Sequence, residues 1–160
     1  MKTKFWSFLT LACMLVFSGP ASAQDARLTL NTCLSEGTQD EEGVLSCINE
    51  ALYPCLTQSE DMSSVATLCF IEARGQFDEG ISSAMSDIRG RVDEQLIALM
   101  TIGLKYDMLS GLLQCDRLEE LALALSELSG EIIQRQKAQC LATTSGLALA
   151  RVTSRAAGLD

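Results

Sequence analysis

Cysteine is the residue type in this chain best suited to chemistry. Seven occur among 160 residues, and from Cys33 onward the intervals are 14, 8, 14, 46 and 25 residues. None of these makes a Cys-x-x-Cys, so neither a dithiol redox motif nor a paired zinc knuckle can be drawn. There is no histidine, which removes the commonest general base, the Ser-His and Cys-His pairs and most zinc sites. Beyond residue 4 the only lysines are Lys105 and Lys137, and neither lies in a Ser-x-x-Lys arrangement. A Gly-x-Ser-x-Gly elbow and a glycine-rich phosphate loop are missing as well. Two carboxylates are enough to cleave a glycoside, but an acidic helical chain singles out no particular pair. The sequence therefore nominates no catalytic residue, no cofactor site and no metal site, and it reads as a non-enzyme. The cysteines are left with a structural role.

The compartment follows from the first residues. Lys2 and Lys4 precede an apolar run from Phe5 to Phe17, then Gly19-Pro20 and the small-x-small pattern Ala21-Ser22-Ala23. This is the layout of a secretory signal peptide over residues 1–23, with one mature domain over 24–160. The run is shorter than the roughly 20 residues a membrane span needs. Cys13 leaves with the leader. Cys33, Cys47, Cys55, Cys69, Cys115 and Cys140 remain as an even set, the mark of a periplasmic or secreted disulfide protein. Six cysteines allow 15 pairings. Cys47 and Cys69 lie equally far from Gln58, so a symmetric helix hairpin predicts that these two are joined.

The elements that hold them are helical. Cys69, Ala73, Phe77, Ile81, Ala84, Ile88 and Val92 recur at steps of three and four, one stripe of a long helix. Upstream, Thr38-Gln39-Asp40-Glu41 fits a capping box and predicts a helix from about Gln39 to Tyr53. Pro54 falls near its end, and the polar stretch from Thr57 to Ser63 reads as a loop. Downstream, Leu96, Leu99, Met100, Gly103 and Leu104 begin a second apolar stripe that runs through Met108, Leu112 and Leu113. Leu118, Leu121, Leu125 and Leu128 carry it toward a break at Ser129-Gly130. A last helix from about Glu131 to Ala156 is expected, interrupted near Thr143-Thr144-Ser145-Gly146. Alternating strand patterns are missing, so the expected fold is an all-α, disulfide-linked bundle of four to five helices.

Charge narrows the partners. Without Lys2 and Lys4 the chain has ten basic residues against 21 acidic ones. Residues 24–100 hold 14 acids and four bases, residues 101–160 seven and six. Nucleic acid is a poor fit to such a surface. A basic protein is a good one, because an acidic field steers a cationic partner toward it. No stable membrane insertion is expected once the leader is gone. Two other readings stand beside this one. In the first, Met85, Met100, Met108 and the leucine stripes line the cavity of a small-ligand carrier. In the second, the chain is a structural component of the envelope.

The segment Cys69-Phe70-Ile71-Glu72, followed by Phe77-Asp78, Ile81-Ser82, Met85 and Ile88, resembles the helix signature of the lysozyme-inhibitor-like family of the LprI N-terminal type. These are small exported bacterial helical domains, whose pattern is Cys-x-x-Glu, an aromatic followed by Asp, then Leu-Asn, Tyr and Leu. Serine stands here for the asparagine and methionine for the tyrosine. Cys47-Ile48-x-x-Ala51 with Cys55, and Cys140-Leu141, resemble flanking parts of cysteine-rich members. The family's second signature helix carries Gln, Trp and an Arg-Asp pair before a cysteine. Before Cys115 this chain instead has Tyr106, Asp107 and Leu112-Leu113-Gln114, and no tryptophan follows the leader. The resemblance implies an exported binding protein that inhibits a cationic lysozyme by occluding its cleft, with Glu72 and Asp78 as the family-matched partner-binding residues.

Overall fold

The computed structural model describes residues 25–37, 40–125 and 127–159, so the leader and the proposed cleavage point lie outside the described residues. Five α-helices follow one another: α1 (Ala26–Glu36), α2 (Glu41–Leu56), α3 (Ser63–Arg89), α4 (Glu94–Leu125) and α5 (Gly130–Ala157). One 3₁₀ turn, Glu60–Met62, precedes α3, and no strand occurs among the described residues. The all-α bundle expected from periodicity is the observed fold.

Helix starts are fixed by short polar side chains at four of the five N-termini. Asp25 accepts from the Leu28 amide, Asp40 from Gly43, Asp93 from Leu96 and Ser129 from Ile132. Each satisfies an amide that the helix itself leaves unpaired. At the start of α2 the cap is Asp40. The expected box put Thr38 in that role, two residues too early; Thr38 and Gln39 lie outside the described residues. An aspartate can cap as well as a threonine, and Glu41-Glu42 then fall in the first turn, where the helix dipole favours them. Pro54 sits within the last turn of α2 rather than after it.

Helix ends are closed by arginines from elsewhere in the chain. Arg135 of α5 donates to the carbonyls of Leu56, the last residue of α2, and of Gln58 and Ser59 just beyond it. Arg91, between α3 and α4, donates to the Ala156 carbonyl at the end of α5. A cation at a helix C-terminus meets both an unpaired carbonyl and the negative end of the dipole.

Two long helices form the centre. Phe77 lies beside Gly146 and Gly80 beside Leu149, a constant offset, so α3 and α5 run parallel. Phe70, Phe77 and Ile88 of α3 and Leu149 and Val152 of α5 are fully buried with Leu30 of α1 and Ile48 and Leu52 of α2. Burying each side chain of this size contributes about 1.5–3 kcal/mol. A Cβ on Gly146 would come within 3.3 Å of Phe77 and Ile48. That glycine is therefore a packing residue, and α5 runs unbroken through Thr143–Gly146, where an interruption was expected.

Parallel α3 and α5 need a connection that carries the chain back, and α4, 32 residues long, supplies it. Gly111 meets Thr144, Cys115 bonds Cys140 and Asp107 meets Arg151, so α4 runs antiparallel to α5. Packing against α4 comes from α5 almost alone. Only Met100 and Cys115 of α4 are buried; Leu96, Leu104, Met108 and Leu112 are half-buried. Leu99, Leu113, Leu118, Leu121, Leu125 and Leu128, read as core from the sequence, stand exposed. Periodicity records that a helix has an apolar face, and α4 has more apolar surface than one neighbour covers.

Candidate functional site

The three disulfides join cysteines adjacent in sequence: Cys33–Cys47, Cys55–Cys69 and Cys115–Cys140, with Cα atoms 5.5, 5.5 and 5.7 Å apart. They tie α1 to α2, α2 to α3, and α4 to α5. The expected Cys47–Cys69 bond is not formed. That expectation took α2 and α3 as a symmetric hairpin about Gln58, but the 3₁₀ turn displaces the corner toward α3. Beyond that corner α3 packs chiefly on α5, leaving Cys55 as the partner within reach of Cys69. Gln76 adds a further tie, its Oε1 accepting from the buried Ala26 amide at 2.6 Å. The three amino-terminal helices are thus held by two covalent links before packing is counted.

On this frame the acidic residues divide by half of the chain. In the second half four of the six bases pair with neighbouring acids. Lys137 bonds Glu119 and lies 3.2 Å from Asp116, Arg151 and Arg155 flank Asp107 at 3.3 and 3.5 Å, and Arg117 pairs with Glu120 at 3.1 Å. The hydrogen bonds it donates to Glu119 and Asp116 push the Lys137 ammonium above its ordinary value of 10.5. In the first half Arg74 meets Asp78 at 3.6 Å, and residues 24–100 carry 14 acids against only four bases. Asp61, exposed on the 3₁₀ turn, is held below the ordinary 3.8 by the Ser59 hydroxyl and its own amide. The excess of negative charge therefore lies in residues 24–100, most of it on α1–α3.

Glu72 and Asp78 both lie on α3, but the helix does not bring them together. Six residues apart, they point about 120° from one another. Asp78 is half-buried against Arg74, and its carbonyl accepts from the Ser82 hydroxyl. Glu72 is exposed and shares its stripe with Glu79, seven residues on, and more loosely with Asp87, a span of about 22 Å. Glu79 and Asp87 were not singled out from sequence, although their spacing from Glu72 was the available signal. Asp87 also borders a groove of about 570 Å³ that Arg27 and Arg91 line, so Glu72 and Glu79 are the less compensated pair.

A larger groove, about 680 Å³, opens between α1, α2 and the end of α5, lined by Leu34, Val44, Leu45, Leu147, Ala150 and Arg151 among others. The methionines nominated for a carrier lie elsewhere: Met85 and Met100 are in the shared core and Met108 packs at its edge. Among the described residues no group of three or more Cys, Asp or Glu side chains is placed to hold a metal ion. What the surface offers is a rigid, exposed, acidic face. No protein-family model, no curated protein and no solved structure matches the chain.

Proposed function

We propose that this chain is an exported, non-enzymatic binding protein whose α1–α3 face engages a basic protein partner, with a cationic lysozyme as the partner that the family resemblance implies. The observation that carries the reading is the division of charge. Four of the six bases beyond residue 100, Arg117, Lys137, Arg151 and Arg155, pair with neighbouring acids, while residues 24–100, most of them in α1–α3, hold 14 acids against four bases. Two disulfides keep that face in shape, so little ordering entropy is lost on binding. Three disulfides also fit an oxidising compartment outside the cytoplasm. In this reading Glu72, on the exposed stripe of α3, contacts the partner, and Asp78 supports α3 through Arg74. Occlusion of the partner's cleft is the mechanism, and no chemistry by this chain is required.

The test is titration of the oxidised mature domain against a panel of basic muramidases at low and high salt, reading binding and residual lysis. The proposal expects binding that weakens steeply with salt and that Glu72→Lys with Glu79→Lys lowers about tenfold or more, in keeping with loss of steering and of close charge pairs. Unchanged lysis together with no salt-sensitive association for any basic protein would overturn it.

A further inference from the structure

The outer face of α4 is the largest feature that the acidic face leaves unexplained. Leu99, Ile102, Tyr106, Leu109 and Leu113 all point away from α5, and their exposures lie between 47% and 67%. Their spacing is three, four, three, four, the a/d repeat of a helix that packs along another helix. Between residues 96 and 115 the only charges are Lys105 and Asp107, and Asp107 is turned toward Arg151 and Arg155. The richest 18 residues of α4 have a mean hydropathy of 1.5, and the helix is long and apolar enough by length and composition to cross a membrane.

We infer that this seam is the contact between two copies of the chain, paired α4 against α4. Three observations choose this occupant. The first is periodicity, since an a/d seam is self-complementary and a two-fold contact uses the same patch twice. The second is charge. The acidic helices lie across α5 from α4, so copies joined at α4 keep their negative faces apart, and the seam is the stretch of this acidic molecule where like charges do not meet. The third is area: five side chains at about 100 Å² each, with their flanks, come to roughly 600–800 Å² per copy, close to one partner's share of a standard interface. A lipid bilayer fits less well. Crossing it would bury Lys105 and tear α4 from the Cys115–Cys140 bond and the Lys137 and Asp107 pairs. Lying on an anionic leaflet would set the acidic molecule against like charge.

Sedimentation of the oxidised mature domain over a concentration series tests the pairing. A species of twice the monomer mass, growing with concentration, is expected. Tyr106→Glu with Leu109→Lys should weaken association about tenfold or more while far-ultraviolet circular dichroism and all three disulfides stay as in the parent. The exposed control Tyr53→Glu on α2 should leave it unchanged. If the double variant loses helicity, Leu113→Glu alone serves in its place. A monomer throughout the series, a dimer indifferent to the seam substitutions, or seam-dependent flotation of the monomer with neutral or anionic vesicles would each overturn the inference. Loss of the acidic pair Glu72 and Glu79 should not affect dimerisation, so the two proposals fail separately.

Discussion

Ser145 is buried to 1% exposure in the middle of α5, and its hydroxyl has no hydrogen-bond partner among the described residues. A buried hydroxyl without a partner costs about 1–3 kcal/mol, and alanine is the better helix former. Ser145→Ala should therefore stabilise the fold by about 1 kcal/mol, read as a rise of a few degrees in Tm at unchanged disulfide content. A fall in Tm would mean that the hydroxyl is satisfied in solution. Residues of this kind show what sequence leaves open. Thr143-Thr144-Ser145-Gly146 looks like a break because those types favour turns. In the folded chain Gly146 clears Phe77 and Ile48, and Thr144 packs over Gly111. Close approach of helices has selected small residues there, and local propensity cannot distinguish that from a turn.

Among the elements, legibility varies with the number of neighbours. α3 is the most legible, because a helix packed on α1, α2 and α5 must write its buried stripe into the sequence: Ala73, Phe77, Ile81 and Ile88 are in the core, although the helix ends at Arg89, short of the expected Val92, and the fully buried Ala66 and Phe70 fall off the expected stripe. α1 is marked in the sequence only by Asp25 as a cap and by Ala26, Leu30 and Leu34 at four-residue steps, a signal too short to stand out beside the longer stripes. The apolar stripe of α4 predicts core packing, but a stripe does not say whether anything lies against it. The disulfide pairing was illegible, since it depends on the 3₁₀ corner between α2 and α3. The division of charge could be counted, but the pairing of Arg151 and Arg155 with one aspartate could not. One element contact is open to titration. Lys137 binds α5 to Glu119 and Asp116 of α4, and its raised pKa means that the folded state holds the proton more tightly than the unfolded chain. Its contribution is fully present below 10.5 and is lost as pH rises through the folded value above it. Urea midpoints of the parent and of Lys137→Met should run parallel through neutral pH and converge in strong alkali. A constant difference throughout would show that the ion pair adds nothing.

For the molecule as a whole, all covalent links are local in sequence, and no bond encloses another. From Cys33 onward the cysteines pair two by two in order, 33 with 47, 55 with 69 and 115 with 140, so under the proposed export a chain emerging amino terminus first presents its partners in the order in which they must join. Cys33 and Cys47 are both out before Cys55 appears, and Cys55 and Cys69 long before Cys115. A thiol oxidase that acts on cysteines as they arrive makes the native set without a wrong bond to undo. Fully reduced chain released all at once lacks that order. It should form mixed pairings first, among them Cys47 with Cys55 across eight residues, and should regain the native map faster when an isomerase or a thiol buffer is added. Peptide mapping after translocation-coupled oxidation, compared with bulk air oxidation, measures the difference; equal scrambling in the two would show that order of emergence plays no part.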